Sequence, residues 1–362
     1  MKKTVMTRRK ALAGFGSLVA ASPLVADQPP KLIGEPPGRI APRIDLVNVL
    51  EFENMAERKL APAIYATVAG GDRSFFNRIT FRPRMMVPTT NLDLTISLFG
   101  ERAFAPIMVG PVARLQNYHP DGEVGMAHAA SAAKSWMVVS SQSSLPIEKI
   151  AAESKTTLWY QVFLEEDSSA VRAKMDQAVK AGCKAICITI NAPLLGADGW
   201  PSPAKLAAMT RPGLNWAAID QMRKGVGVPV LIKGIMTPQE AGAVIKRGID
   251  GIVVSNYGGL LAPGMASSME MLPSIADAVG GKAPILIDGS FRRGSDIFKA
   301  LAYGATAVML GRPLVWGLAA YGPDGAQQVL EMLQTEVGRD MGHCGKPTIK
   351  DIDRTVVKLH EA

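Results

Sequence analysis

The chain has 362 residues, is 48% hydrophobic and contains 35 glycines, enough for one large α/β domain or two small ones. Its net charge of +8 comes partly from the first ten residues; the rest is scattered, with no basic tract interleaved with aromatics, which excludes a nucleic-acid-binding protein. The three cysteines, Cys183, Cys187 and Cys344, match neither a metal-ligand spacing nor a disulfide framework, and the first two read as small core residues of a buried strand.

Residues 1–26 read as an export signal. Thr7-Arg8-Arg9-Lys10 precedes a mildly apolar run to Ala26, the pattern of a twin-arginine signal peptide, with an uncleaved anchor as the alternative; either places the protein outside the cytoplasm, in the periplasm. Residues 27–43 hold five prolines and read as a tether. Residues 44–75 carry apolar positions at Ile44, Val47, Leu50, Met55, Leu60, Ile64 and Val68, which predict a helical extension stopped by Gly70-Gly71. Residues 81–86 and 94–99 read as short strands outside the main repeat.

The repeat follows. Eight apolar runs predict strands at Pro106–Val109, Trp136–Ser140, Leu158–Val162, Ala185–Ile190, Pro229–Lys233, Gly251–Ser255, Pro284–Asp288 and Thr306–Leu310. Helical patterns separate them at about 122–134, 146–153, 167–181, 216–225, 237–247, 267–279, 294–303 and 313–319. Eight alternating units predict a (β/α)8 TIM barrel with an N-terminal helical extension, spanning 44–362. No glycine-rich dinucleotide fingerprint follows an early strand, which argues against an open doubly wound sheet.

A barrel places its site at the C-terminal ends of the strands. The seventh strand runs into Asp288-Gly289-Ser290-Phe291-Arg292-Arg293-Gly294 and the eighth into Gly311-Arg312-Pro313, each followed by a helix. Glycine permits close backbone approach and arginine offers a planar donor fork, so the two turns together predict a phosphate site. Ser140, Gln161 and Thr189 end strands two to four as neutral hydrogen-bonding groups, and Lys233 closes the fifth. That set suits a flat heterocycle with carbonyls and ring nitrogens, the lysine lying at the edge that gains charge on reduction. A lysine closing a buried strand requires an anionic or carbonyl partner in any case.

At this point the residues resemble a family, the FMN-dependent α-hydroxy-acid oxidases and dehydrogenases, the group of glycolate oxidase and L-lactate dehydrogenase. The likeness covers about residues 45–355 and rests on Phe81-Arg82-Pro83-Arg84, His119-Pro120-Asp121-Gly122-Glu123, Leu231-Ile232-Lys233-Gly234, Val254-Ser255-Asn256, the Asp288–Gly294 turn and Gly311-Arg312-Pro313. The resemblance implies an oxidoreductase holding FMN and acting on a small molecule, with an electron acceptor left open, and a homo-oligomer, since the family commonly forms tetramers. It places Pro111, Val112 and Ala113 against the flavin, and Ser140, Gln161 and Thr189 on its ring. Lys233, with Ser255 beside it, falls at the N1–O2 edge and Asp288 on the ribityl hydroxyls. Gly289, Ser290, Arg292, Gly311 and Arg312 fall at the phosphate.

The substrate side departs from the family. Its sixth-strand turn carries a basic histidine and a carboxylate-gripping arginine, where this chain has Tyr257 and Leu260. The second family arginine falls on Asp198, the third-strand tyrosine on Phe163, and the N-terminal substrate tyrosine on Thr67. A tyrosine starts near pKa 10 and a histidine near 6.5, so Tyr257 does not replace the base. Among the four histidines only His119 comes near a strand end, and Arg114 is the one cation close to the first loop. Three readings follow: an FMN enzyme with altered substrate chemistry in which Tyr257 donates a hydrogen bond, an ordinary 2-hydroxy-acid dehydrogenase with its base elsewhere, and a non-catalytic flavoprotein.

Overall fold

The computed structural model describes residues 39–84, 86–165, 167–190, 215–257 and 266–361. Residues 1–26, read above as an export signal, and most of 27–43, read as a tether, lie outside those residues.

Eight parallel strands close into a barrel: β4 (Ile107–Val109), β5 (Trp136–Ser140), β6 (Leu158–Phe163), β7 (Ile186–Thr189), β8 (Val230–Ile235), β9 (Gly251–Val254), β10 (Ile285–Ile287) and β11 (Ala307–Leu310), with β11 pairing back onto β4. Every residue of these strands is buried. A parallel strand covered on both faces reads as a largely apolar run, and these do, apart from Ser140, Gln161, Thr189 and Lys233 toward their C-terminal ends. Alternate residues separate into two cores. Met108, Val138, Trp159, Cys187, Leu231, Val253, Leu286 and Met309 fill the barrel interior. Their neighbours, among them Ile107, Val139, Ile188, Ile232, Val254 and Ile287, pack against the surrounding helices.

The helices between the strands are α4 (Gly122–Ala132), α5 (Ile147–Glu153), α6 (Ser168–Lys180), α7 (Trp216–Arg223), α8 (Pro238–Lys246), α9 (Ser268–Val279) and α10 (Gly294–Ala302). Several begin on a side chain suited to the exposed first-turn amides. Asn215 accepts from Ala218, and Thr237 with Glu240 forms a reciprocal capping box. The N-terminal mouth is closed by the hairpin β2 (Ile96–Leu98) and β3 (Glu101–Ala103). Phe99 there packs on Trp159 at 5.7 Å, and Trp159 on Trp136 at 5.8 Å.

Three expectations need correction. The eighth helix is α11, Arg312–His343, and not a two-turn segment ending at 319. The chain kinks at Tyr321 and Gly322 (φ 66°, ψ −155°), just before Pro323, and resumes, burying Val329, Leu330, Leu333, Val337 and Met341. The extension at 44–75 is three short helices, α1 (Val49–Lys59), α2 (Pro62–Tyr65) and α3 (Ser74–Asn77). Pro62 ends any continuation from α1; Ile44 and Val47, expected on its apolar face, precede it and are 88% and 74% exposed. The strand read at 81–86 is β1 (Ile79–Phe81), paired antiparallel with β12 (Val357–Leu359) at the far end of the chain.

Candidate active site

The strand register sets the central residues side by side. Ser140 pairs with Gln161, Phe163 with Thr189, and Thr189 with Lys233, so neighbouring strands end at one level. Ser140 donates to Gln161 Oε1 at 3.0 Å and Gln161 Nε2 donates to Thr189 Oγ1 at 2.9 Å, all three buried. The second Gln161 amide proton and the Thr189 hydroxyl proton have no acceptor among the described residues, leaving two donors at the barrel mouth. Lys233 Nζ lies 2.8 Å from Asp288 Oδ2 and donates to Ser255 Oγ at 2.7 Å. Ser255 also accepts from the Tyr257 amide at 3.2 Å. Asp288 Oδ1 is buried with no hydrogen-bond partner among the described residues. A carboxylate oxygen left so is an unfilled demand for a donor.

Above these groups opens a cavity of about 1060 Å3, counting the space at its mouth, lined by Pro111, Val112 and Ala113 from the loop after β4. Lys233, Tyr257, Asp288, Gly289, Ser290, Arg292, Gly311 and Arg312 line it too, as do Ala66–Ala69 and Tyr118. Ser140, Gln161, Thr189 and Ser255 stand on the adjoining strand ends, outside that lining.

Two arginines define one end. Arg292 is 2% exposed, stacks over Trp316 at 4.5 Å, and donates to the Gly70 carbonyl at 2.7 Å and to its neighbour Phe291 at 2.9 Å. Burial, and then the Arg312 charge beside it, pushes the Arg292 guanidinium down to about 9; burial lowers Arg312 as well. Arg312 reaches Ser290 Oγ at 3.4 Å. Asp296 holds the turn in shape, accepting from the Arg292 and Arg293 amides at 2.9 Å and from Arg73 at 2.7 Å. Segment 66–73 lies over the pair as a strap. A Cβ at Gly71, where φ is +147°, would stand 2.8 Å from Ser290 Oγ and 2.9 Å from Arg292 Nη2, so only glycine fits. Beneath the strap, Glu53 accepts from the Gly70 amide at 2.8 Å; burial raises its pKa while that hydrogen bond and both arginines oppose the rise. A buried Arg292 and a half-buried Arg312 against one acid leave the end positive and suited to a phosphate monoester.

The other end is aromatic. Tyr257 sits at φ +56°, a left-handed conformation strained for a residue with a side chain. Its ring lies 5.6 Å from Lys233 Nζ and 6.3 Å from the Phe163 ring. Burial, with the Asp288 charge adding to it, raises its phenol pKa above the ordinary 10. Arg114, read as a substrate cation, is exposed and outside the cavity lining; its backbone at φ +50° turns the chain while its amide donates to Gln142. His119 also stands outside the lining, 3.7 Å from Asp121 and against the Gly322 kink. Asp198 and Leu260 lie outside the described residues. Of the strap the sequence points only to Thr67, and Glu53, Asp296 and Tyr118 carry no sequence signal as site residues. For the rest of the strap Gly70-Gly71 was the available signal, taken only as a helix stop.

Residues 66–200 and 199–359 match the family described as FMN-dependent dehydrogenase. The chain belongs to this family. It is 34% identical over 350 residues to a peroxisomal (S)-2-hydroxyacid oxidase of Arabidopsis thaliana, covering 86% of this chain and 96% of that one. It is 33% identical to L-lactate oxidase of a Nostoc species over 358 residues, covering 86% and 98%. Crystal structures of mandelate oxidase superimpose with a TM-score of 0.81 at 33% identity over 88% of this chain and all of theirs. One such structure holds an arginine-to-leucine variant with 2-hydroxy-phenylacetamide. The protein is therefore an FMN-dependent oxidoreductase of the hydroxy-acid oxidase family, working on a small molecule. Its residues fit the cofactor independently of those names: an arginine pair for a phosphate, an orphaned Asp288 oxygen for a polyol hydroxyl, and unused Gln161 and Thr189 donors for ring acceptors.

Proposed function

We propose that this family member oxidises or reduces a small substrate that lacks a carboxylate, with Tyr257 as a neutral hydrogen-bond donor. Bound FMN supplies two-electron redox chemistry. Arg292, Arg312, Ser290 and the Gly289 and Gly311 backbone hold its phosphate, Asp288 its ribityl chain, and Ser140, Gln161 and Thr189 its ring. Lys233, with Ser255 behind it, sets charge at the ring edge, and Pro111, Val112 and Ala113 pack on its face.

The observation that carries the reading is the charge balance of the cavity. Among its described lining residues, Lys233 is matched by Asp288 and both arginines face the phosphate end, so no cation is left to bind a carboxylate. Tyr257, raised further from neutrality by burial, keeps its proton at pH 7 and presents it to a substrate oxygen. Asp198 and Leu260, where the family has arginines, agree with the same reading, as does Phe163 in place of a tyrosine. Export through the twin-arginine signal, with cofactor loaded before transport, and assembly as a homotetramer belong to this proposal too; the electron acceptor is left open.

The test is anaerobic mixing of the purified FMN-loaded protein with L-lactate, glycolate, mandelate and the corresponding amides, followed at the flavin absorbance. Bleaching by an amide and not by its acid is the expected result. Bleaching by L-lactate within seconds returns the protein to ordinary hydroxy-acid oxidation, and Tyr257→Phe with unchanged turnover removes Tyr257 from the chemistry.

A further inference from the structure

Two hydroxyls from distant parts of the chain meet in the cavity wall. Thr67 stands on the strap, Tyr118 directly follows the 3-10 turn Leu115–Asn117, and their oxygens are 2.9 Å apart, both lining the cavity. A hydroxyl has one proton to give. Thr67 gives its proton to the Ile64 carbonyl at 2.7 Å, inside the strap's own turn. Thr67 therefore meets Tyr118 as an acceptor, and the Tyr118 proton is spent on it. What the Tyr118 oxygen has left for a ligand is lone pairs.

We propose that Tyr118 is a specificity-determining residue whose phenol oxygen, fixed as an acceptor by Thr67, selects substrates presenting a neutral donor, such as the N–H of a 2-hydroxy amide, over carboxylates. This rests on the function proposed above and names its substrate class. A carboxylate carries only acceptors, so against Tyr118 it sets lone pair against lone pair in the cavity wall. An amide of the same shape supplies the missing proton. The tyrosine that the family carries at position 67 is absent, so the hydroxyl here arrives from another loop and with its proton already committed.

The test uses the FMN-loaded protein with isobutyramide and isobutyrate, isosteres of lactamide and lactate without an oxidisable hydroxyl. Dissociation constants come from the ligand-induced change in flavin absorbance, and the same spectrum shows that each variant is folded. The wild type binds the amide more tightly. Tyr118→Phe weakens amide binding about two- to tenfold, the worth of one hydrogen bond, and spares the acid. Thr67→Val frees the phenol proton and tightens the acid. Failure of either variant to move the amide-to-acid ratio overturns the role of Tyr118 while an amide preference in the wild type leaves the underlying reading standing. Acid preference in the wild type, or no binding of either probe, overturns both.

Discussion

The Lys233–Asp288 pair is central to the site, which depends on a buried cation being held by one acid. The contact is 2.8 Å and the side chains are 6% and 17% exposed. At an effective dielectric of about 20, unit charges at that separation attract by roughly 6 kcal/mol, offset by their desolvation. Removing one partner of such a pair typically costs about 3–5 kcal/mol, because the other charge is left buried with only part of its hydrogen bonding. Here Ser255 and the Tyr257 ring are Lys233 contacts that survive loss of Asp288. In the FMN-free protein, Asp288→Asn and Lys233→Met should each lower the melting temperature by about 6–10 °C, at about 2 °C per kcal/mol for a large domain. The double variant should melt above the sum of the two losses, since removing both charges strands neither. Thermal melts by circular dichroism on the four proteins complete the cycle. Additive losses, within about 0.5 kcal/mol, would show that the two groups do not hold each other and would remove the charge balance behind the proposed substrate class.

Three further outcomes follow from the same geometry. Gly71→Ala places a methyl against Ser290 and the two arginines; FMN affinity should fall at least about tenfold with folding retained, as measured by fluorescence titration of apoprotein. The thiols of Cys183 and Cys187 are pushed by burial up to about 12, and that of Cys344 to about 11. A thiol-disulfide reagent at pH 8 should therefore label none of them in the folded protein and all three after denaturation. Tyr257, with its folded pKa above its unfolded value near 10, contributes stability that is whole below that pH and lost as pH rises through the folded value. Ligand binding should accordingly be flat between about pH 6 and 9, and Tyr257→His should introduce a limb near 6.5; a limb already present in the wild type counts against Tyr257 as the neutral donor.

The barrel was legible because parallel strands buried on both faces leave largely apolar runs, and the ends of the predicted and observed strands differ by two residues at most. Pro106–Val109 is Ile107–Val109, and Pro229–Lys233 runs on to Ile235. The two turns proposed for phosphate stand out in the sequence for a similar local reason: glycine and arginine sit where a strand hands over to a helix. What escaped was non-local. The β1–β12 pairing joins Ile79 to Leu359, and neither three-residue strand has a pattern of its own. The strap over Arg292 and Arg312 is irregular backbone, and periodicity says nothing of where such backbone lies. Arg114 shows the converse error, in which closeness in sequence to the flavin loop suggested a side chain in the pocket, whereas its left-handed backbone leaves it in solvent. Tyr118 was passed over for its neighbour His119, although only the tyrosine lines the cavity.

The strap also explains why cofactor side and substrate side cannot be treated as separate inheritances. Gly70 and Gly71 meet the phosphate arginines, and Thr67 lies three residues before Gly70, with Val68 anchored between them by Trp316, which donates to its carbonyl at 2.9 Å. Trp316 in turn carries the Arg292 guanidinium on its ring. One short run of backbone is thus held at one end by the groups that would bind phosphate and presents at the other the hydroxyl that orients Tyr118. Such a run cannot shift at Thr67 without disturbing Gly70, where a buried arginine depends on the carbonyl. A change of substrate on the reading proposed above would therefore fall on side chains such as those at 67, 163 and 257, which can alter the donors and acceptors facing the reacting molecule without moving the backbone beside the arginines.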